Sequence, residues 1–512
     1  MDSEGSTSSR QPEQPAGTPQ RKPSPLRFLV PAALVLLLAV AVAVTSPSTR
    51  HNLRLSLRSS LFSHRLLSPG LRRQVLRLLS PAPWKRDRSV GGTGRPTSPR
   101  PPCVLWMAPF LSGGGYSSEA WSYITALDRS MGEEEDPPIR LALEQHGDLE
   151  NWEFWEGLPE GDRELAIRLH GTECRLAETV VVCHSEPGAW YPPLFETLPC
   201  PLTGYAAPLA VVGRTMFETD RLNPEHARRC NRMDAVWVPT GFHVSTFVAS
   251  GVDPSKVVKV VQPVDVGFFD PSKYKPLALP AEMPVLGSVL GNPNVGPGRK
   301  VFVFLSIFKW ERRKGWDVLL ASYLREFTTA DGVALYLLTN PYHTDKDFGN
   351  KISKFAQDAK LEEPGDGWAP VYVIDSHIAQ ADLPRLYKAA DAFVLPSRGE
   401  GWGRPVVEAM AMELPVIVTN WSGPTEYLTE ENGYPLPVDR MSKVPEGPFK
   451  GHLWAEPSVE QLRALMRRVV SNPEEAERRA ARAREDMIQR FSPAVVARIV
   501  VDQILKVSKA HQ

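Results

Sequence analysis

The sequence lacks the cysteine patterns that mark zinc sites and small disulfide-rich secreted domains. Its five cysteines are spread widely, are odd in number and form no C-x-x-C pair, so ligand spacing for zinc is absent. They are Cys103, Cys174, Cys183, Cys200 and Cys230. Three of them, Cys103, Cys183 and Cys200, lie in or beside apolar runs. Buried free thiols are therefore favoured over a disulfide framework.

The chain also lacks net charge, because 59 Lys and Arg residues balance 59 Asp and Glu residues. The overall charge therefore does not favour binding to nucleic acid, and no nucleic-acid partner is expected. The charge is unevenly placed. Between Phe28 and Arg100 the only acid is Asp87, against a dozen basic residues. At 512 residues, the chain is long enough for two domains with appended segments.

The amino-terminal region predicts a membrane anchor. Residues 1–25 have no apolar periodicity and are typical of a disordered tail. Within 26–45, the run Phe28–Thr45 carries no charge and is just long enough to cross a bilayer core of ~30 Å. A cleaved signal peptide would need a shorter apolar core, so an uncleaved signal anchor is favoured. Basic residues flank the run on both sides, so the charges do not decide its orientation.

Residues 46–102 form a basic stem or linker. In 51–80, Leu and Arg alternate, and this stretch either lies along an anionic membrane surface or forms a solvated stem. A single-pass protein of the Golgi or endoplasmic reticulum is the expectation, with the side of its folded part undecided. The one N-glycosylation sequon, Asn420-Trp421-Ser422, follows a predicted strand closely, and a glycan there would crowd its edge.

From residue 103 onward, short apolar runs alternate with stretches of helical length. This pattern predicts βαβ units around parallel sheets. A Pro- and Gly-rich joint at 280–300 divides it into an amino-terminal domain, 103–285, and a carboxyl-terminal domain, 286–512, that ends in helices. The predicted fold class is α/β, with two Rossmann-like doubly wound domains facing across a cleft.

The segment 391–428 reads as strand, glycine turn, helix and strand. Its turn, Gly399-Glu400-Gly401-Trp402-Gly403, places unpaired N–H groups and a helix N-terminus at a strand end, an arrangement that binds phosphate. Glu408 lies in the first turns of that helix, within reach of a ribose. Taken alone, such a turn is weak evidence, since many are only tight connections.

The whole segment resembles the donor-binding signature of the group 1 (family 4) retaining glycosyltransferases, which have the GT-B fold. The resemblance covers E-G-W-G-R-P-V-V-E-A-M-A, beginning at Glu400. It implies that Glu400 lies beside the donor sugar and that Glu408 binds the nucleotide ribose. Gly401, Trp402 and Gly403 would then line the sugar and diphosphate pocket.

A second match is FLSIFKWERRKGWDVLL, residues 304–320. It is similar to the family's strand and loop, whose two basic residues hold the diphosphate; here these are Lys309 and Lys314. The family more often has arginine at the first position, and Arg312 or Arg313 remains an alternative partner for the phosphate. The alternative is that these basic residues form only the solvated start of a helix and have no role in binding.

The first domain matches the family less tightly. Its loop Ser112-Gly113-Gly114-Gly115-Tyr116 resembles a glycine-rich loop near the donor phosphate, which makes Gly114 a candidate, although a plain flexible turn fits equally well. His184 ends an apolar run and matches a family histidine near the reacting carbon. A lone histidine is more often a structural residue.

The resemblance implies transfer of a hexose from a nucleoside-diphosphate sugar, with retention and without a metal or other cofactor. The acceptor is a glycan, a lipid or a protein. Asp345-Lys346-Asp347 has the spacing of a metal-binding D-x-D motif but lies in a polar loop, where a surface role is favoured. The alternatives are another GT-B enzyme, such as a sugar-nucleotide epimerase, and a catalytically silent membrane-bound scaffold.

Overall fold

The computed structural model describes residues 101–132, 135–204, 206–290, 301–341, 345–375 and 378–512. The predicted tail, the anchor at 26–45 and nearly all of the stem therefore lie outside the described residues. Within the described ranges, no helix combines the length and the apolar character needed to cross a membrane.

The amino half is built on a six-stranded parallel sheet with the strand order β2-β1-β3-β4-β5-β6. Its central strands are buried along their whole length, as expected for a parallel sheet with helices on both faces. The strands are β1 (Cys103–Ala108), β2 (Arg140–Gln145), β3 (Thr179–His184), β4 (Ala210–Arg214), β5 (Ala235–Val238) and β6 (Val257–Lys259).

Five helices accompany this sheet: α1 (Gly115–Met131), α2 (Trp152–Gly157), α3 (Glu160–His170), α4 (Pro224–Cys230) and α5 (Gly241–Ala249). Local sequence explains where two of them begin. Asn151 accepts from the N–H groups of Glu153 and Phe154 at the start of α2, and Thr240 caps α5, as N-cap residues do.

The carboxyl half repeats the architecture with the order β12-β11-β10-β7-β8-β9, which is the strand order of a Rossmann fold. Its strands are β7 (Phe302–Lys309), β8 (Val333–Asn340), β9 (Val371–Ile374), β10 (Ala392–Leu395), β11 (Val416–Thr419) and β12 (Tyr434–Leu436). Every pairing within both sheets is parallel. The predicted pair of doubly wound α/β domains is therefore confirmed.

Seven helices follow in the carboxyl half: α6 (Trp316–Glu326), α7 (Phe348–Asp358), α8 (Leu383–Lys388), α9 (Arg404–Ala411), α10 (Val459–Ser471), α11 (Pro473–Phe491) and α12 (Pro493–Ala510). The last of them, α12, packs against α1 of the amino half. The D-x-D segment supplies a helix cap, since Asp347 Oδ1 accepts from Asn350 N at the start of α7.

An antiparallel hairpin of β13 (Val438–Lys443) and β14 (Leu453–Pro457) reaches from the carboxyl half to the amino half. Leu453 and Asp220 exchange two hydrogen bonds, to the Asp220 carboxylate and from the Asp220 N–H. The Phe449 ring packs against Phe217 at 5.4 Å. The hairpin therefore ties the two halves together beside the segment that follows β4.

The cysteine prediction is wrong for four of the five residues. Disulfides join Cys103 to Cys174 and Cys183 to Cys200, while Cys230 is free and buried. Cys103 opens β1 and Cys183 lies in β3, and each pairs with a residue that the tertiary fold brings beside its strand. Spacing along the chain does not reveal such neighbours.

Candidate active site

The predicted site residues lie at or after the carboxyl ends of four strands, with His184 and Lys309 as the last residues of β3 and β7 and with Glu408 in α9. The four strands are β1, β3, β7 and β10. In each sheet these are the two strands between which the order changes direction: β1 and β3 in the amino half, β7 and β10 in the carboxyl half. Ligands of open α/β sheets bind outside the carboxyl ends of the strands at such switch points. The topology therefore explains why residues nearly 300 positions apart belong to one cleft.

The conformation of the glycine turn after β10 is constrained on one side by α9 and on the other side by the amino half. Gly403 precedes α9 with φ +90°, a left-handed conformation that favours glycine. At Gly399, a Cβ atom would lie 2.1 Å from the carbonyl oxygen of Glu218, so only glycine lets the turn approach the segment after β4. The turn thus lies between the two halves.

Glu400 and Lys314 are brought into direct contact. The Lys314 Nζ donates to Glu400 Oε1 at 2.7 Å and to Oε2 at 2.8 Å. The Glu400 N–H donates to Ser422 Oγ at 2.9 Å, and the residue is 5% exposed. Two predicted donor-site residues, 86 positions apart, therefore form one ion pair inside the cleft.

Arg313, which the sequence left as an alternative phosphate partner, binds the protein itself. Its Nη1 donates to the carbonyl oxygen of Gly399 at 2.7 Å, and its Nη2 to Glu311 at 2.6 Å. Burial opposes its charge, but the carboxylates of Glu218, Glu400 and Glu311 outweigh burial and raise the pKa of Arg313. It is a permanent cation that holds the glycine turn in place.

Lys309 is the last residue of β7 and is exposed. Desolvation by the surrounding cleft walls, together with repulsion from Lys314 and Arg313, lowers the pKa of Lys309. Three cations therefore crowd one edge of the cleft, and this is a setting that favours a polyanionic ligand such as a diphosphate.

Glu408 lies one turn along α9, and its carboxyl group is close to a tyrosine and an arginine. Tyr387 donates to its Oε2 at 2.9 Å, and Arg404 Nη2 lies 3.8 Å from its Oε1. Burial raises the pKa of Glu408. Because the tyrosine holds one oxygen, the other remains able to accept from a hydroxyl group.

Trp402 differs from its expected role as a wall of the sugar pocket. Its ring is 2% exposed and packs against Tyr427 at 5.2 Å and Phe491 at 5.5 Å. The side chain therefore anchors the glycine turn to the hydrophobic core, and only its backbone belongs to the turn.

His184, which is predicted to lie near the reacting carbon, is held in the interior of the amino half by two hydrogen bonds. It is fully buried, its Nδ1 accepts from the Trp106 indole at 3.0 Å, and its Nε2 bonds Glu119 at 3.0 Å. The indole N–H assigns the proton to Nε2, and burial lowers the pKa of His184. It therefore has the environment of a neutral structural histidine.

The same buried cluster contains Arg214, whose Nε donates to Glu119 Oε1 at 2.9 Å. Burial alone would raise the pKa of Glu119, but Arg214 and His184 lower it to about 2. We call Glu119, His184 and Arg214 the amino-half cluster. It is an internal ion pair beneath the cleft.

Gly114 borders the cleft at the start of α1. Its N–H donates to Ser112 Oγ at 3.1 Å, and a Cβ atom there would lie 3.3 Å from Asp148. Asp148 is close enough to Lys309 for its charge to affect the pKa of that lysine. The glycine loop therefore lies near an acid that interacts with Lys309, and the role of Gly114 at the donor phosphate stays a prediction.

Sequence reasoning missed Arg398 and Glu218. Arg398 binds Asp317 through two hydrogen bonds of 2.8 Å each and also Glu456, which joins the turn to α6 and the hairpin. Glu218 lies 3.6 Å from Arg313. Two features of the sequence could have revealed them. One is the arginine inside the apolar strand–turn segment LPSRGEG, and the other is the glutamate in TMFETDR.

Part of the chain is similar to a known protein family. Residues 374–486 match the model of the family described as "Glycosyl transferases group 1". The mannosylfructose-phosphate synthase of Agrobacterium fabrum is 28% identical over 121 residues, which is 24% of this chain and 26% of that protein. The O-antigen chain mannosyltransferase B of Escherichia coli is 48% identical over 44 residues, 9% and 12% of the two chains. The matches thus span about a quarter or less of these relatives.

Solved structures show the fold. The sucrose-phosphate synthase of Thermosynechococcus elongatus superposes with a TM-score of 0.52 at 15% identity, covering 80% of this chain and all of that one. Anabaena HepE in complex with UDP and glucose gives 0.50 at 12% identity, with 79% and 100% covered. Residues 374–486, which contain the glycine turn, Glu400 and Glu408, are therefore similar to the group 1 glycosyl transferases, and they lie within a two-domain fold of the GT-B type.

Proposed function

We propose that this protein transfers a hexose, with retention of configuration, from a nucleoside-diphosphate sugar to a glycan, lipid or protein acceptor. The observation that carries the proposal is the Lys314–Glu400 ion pair at the glycine turn, with Lys309 beside it and Glu408 one helical turn away. Cations beside a helix N-terminus are a setting that binds phosphate groups.

The chemistry follows from these charges. A leaving diphosphate carries negative charge that develops as the sugar bond breaks, and pre-positioned cations and a helix dipole stabilise that charge. An incoming diphosphate competes with Glu400 for the Lys314 ammonium group. Glu400, released from the ion pair, is then free to accept hydrogen bonds from hydroxyl groups of the donor sugar.

The proposal assigns the stabilisation of the leaving group to Lys309, Lys314 and the N-terminus of α9 rather than to a metal ion or another cofactor. Transfer is therefore expected to continue in the presence of a chelator such as EDTA. An enzyme whose activity falls to background with EDTA and returns with added Mg²⁺ or Mn²⁺ would contradict this part of the proposal.

The membrane anchor at 26–45 remains part of the proposal, and the disulfides bear on its orientation. Disulfides persist in oxidising compartments, so the two pairs in the amino half favour a domain that faces the lumen of the Golgi or endoplasmic reticulum. Asn420 is exposed, so a lumenal domain predicts a glycan at the sequon. A mobility shift after treatment with an endoglycosidase, abolished in Asn420→Gln, tests this orientation.

The central experiment uses the full-length protein in detergent micelles with a panel of UDP-, GDP- and ADP-sugars. We expect one donor to raise the melting temperature and to release nucleoside diphosphate when acceptors are added. If a donor binds tightly and no member of a broad acceptor panel stimulates release, the silent scaffold replaces the enzyme. If none of the donors binds, the proposed function is wrong.

A further inference from the structure

Arg404 stands at a position where a cation is locally unfavourable. It is the first residue of α9 and directly follows Gly403. The N-terminal end of a helix carries a partial positive charge, which repels cations and attracts anions. Local sequence preferences would therefore place an acid or a neutral residue here.

The surroundings of Arg404 compensate for this repulsion only in part. Its Nε and Nη1 atoms are buried and have no hydrogen-bond acceptor. The nearest carboxylate in an ion pair with it is Glu408, at 3.8 Å from Nη2, and that separation is too long for a hydrogen bond. Buried N–H groups without acceptors are costly, and more so on a charged group.

Three other largely buried arginines of the described residues have hydrogen-bond acceptors. Arg214 binds Glu119 and the carbonyl oxygen of Val260. Arg313 binds Glu311 and Gly399, and Arg398 binds Asp317 and Glu456. Among all the arginines that the structure describes, Arg404 alone has buried nitrogen atoms without an acceptor.

The guanidinium group of Arg404 lies close to groups of both halves. Its charge acts on Tyr387 of the carboxyl half and on Tyr123 of the amino half, two phenols whose pKa values burial raises. Along the chain it lies between the glycine turn and Glu408. A nucleotide with its ribose at Glu408 and its diphosphate at the turn would have its first phosphate next to Arg404.

We propose that Arg404 binds the diphosphate of the nucleotide-sugar, at the phosphate group next to the ribose. This inference rests on the proposed function. An anion there relieves both penalties at once, because it supplies acceptors to the buried N–H groups and interacts favourably with the helix N-terminus. Lys309 and Lys314 then hold the diphosphate at the start of the turn, and Arg404 holds it at the end.

The test compares Arg404→Met with Arg404→Lys in the full-length protein, by calorimetric titration with UDP, GDP or ADP and with the corresponding nucleosides. Arg404→Met is expected to weaken binding of the diphosphate about ten- to hundredfold and binding of the nucleoside less than about twofold. Arg404→Lys is expected to lie between Arg404→Met and the unmodified protein, because lysine keeps the charge but not the geometry.

Stability supplies a second readout that a structural arginine would not give. Without nucleotide, Arg404→Met is expected to keep or raise the melting temperature, since it removes a poorly paired cation from a helix N-terminus. The increase in melting temperature caused by the diphosphate is expected to shrink in the same variant. Arg498→Met is the matched control, because Arg498 is exposed on α12 and lies outside the cleft.

Several outcomes overturn the inference. One is equal diphosphate affinity in Arg404→Met and the unmodified protein. Another is a proportional loss of nucleoside affinity, which would place Arg404 at the ribose or base. A lower melting temperature of free Arg404→Met would identify a structural residue. If the unmodified protein binds none of the three diphosphates, the proposed function fails and the inference fails with it.

Discussion

Two groups of charged side chains, both near the carboxyl ends of parallel strands, have opposite environments. In the amino-half cluster, Glu119, His184 and Arg214 are fully buried and bond one another. In the second group, which we call the cleft cluster, Lys309, Arg313, Lys314 and Glu400 line a cleft and crowd like charges together.

The difference between them lies in how well the charges are balanced. The amino-half cluster has an internal partner for each charge, so it behaves as a structural unit and offers nothing to a ligand. In the cleft cluster, Glu311 and Glu400 pair with Arg313 and Lys314, whereas Arg404 at the start of α9 has buried donors without an acceptor. A charged group whose buried donors lack acceptors therefore marks a candidate binding position better than charge or histidine identity does.

Arg214→Met breaks the amino-half cluster and should have the largest effect. It leaves the Glu119 carboxylate buried without its main partner, so the free energy of unfolding is expected to fall by about 3–5 kcal/mol. Urea denaturation measures the change. The double variant Glu119→Leu with Arg214→Met should recover much of it, and a loss below about 1 kcal/mol for the single variant would contradict the assigned role.

Lys314→Ala probes the cleft cluster. Nucleoside-diphosphate affinity is expected to fall by about 1.5–3 kcal/mol, the usual worth of a hydrogen bond to a charged group, which is about ten- to hundredfold. The melting temperature should change little, because Arg313 remains near Glu400. Unchanged affinity measured by calorimetric titration would remove Lys314 from the donor site.

The two halves of the molecule should respond to pH with opposite sign. In the amino half, His243 lies in α5, outside the amino-half cluster, and its Nε2 forms a hydrogen bond with the carbonyl oxygen of Phe217. Burial lowers the pKa of His243 to about 4, so its neutral form is favoured in the folded state. Its contribution to stability is present above about pH 6.5, the unfolded value, and is lost as the pH falls towards 4. Between pH 7 and 5, the loss in free energy of unfolding should be roughly 1–2 kcal/mol smaller in His243→Gln than in the unmodified protein.

Binding of a diphosphate at the cleft cluster should weaken at alkaline pH rather than at acidic pH. Because the pKa of Lys309 is lowered, its charge is lost at a lower pH than that of an ordinary lysine, and diphosphate affinity should fall with it. Lys309→Arg should extend tight binding to higher pH, since arginine stays charged. Identical alkaline profiles of Lys309→Arg and the unmodified protein would contradict a role for Lys309 in binding.

Glu408→Ala should have the smallest effect, about tenfold on nucleotide affinity, because it removes one acceptor for a ribose hydroxyl. Tyr387→Phe is the matched control, since it deletes the bond from Tyr387 to Glu408 and keeps the carboxylate. If Tyr387→Phe weakens binding as much as Glu408→Ala, the carboxylate serves the packing of α8 and α9 rather than the ribose.

Local sequence predicted much of the fold. Apolar runs such as TVVVCH and AVWV became β3 and β5, because strands buried on both faces need continuous hydrophobic side chains. The run RLALEQ became β2 but was missed, since its charged and amide ends interrupt the apolar signal. The hairpin of β13 and β14 was also missed, because its partner surface belongs to the amino half.

The sequence by itself determined the pair of α/β domains, the glycine turn before α9, the placement of Lys314 and Glu400 after strand ends and that of Glu408 in the helix. These features follow from local periodicity and from motif spacing, which short segments carry. Only the tertiary structure decided that His184 is buried with Glu119, that Trp402 packs into the core and that four cysteines are paired. Those outcomes depend on neighbours distant in the chain, and burial and pairing energies act only once the fold has brought them together.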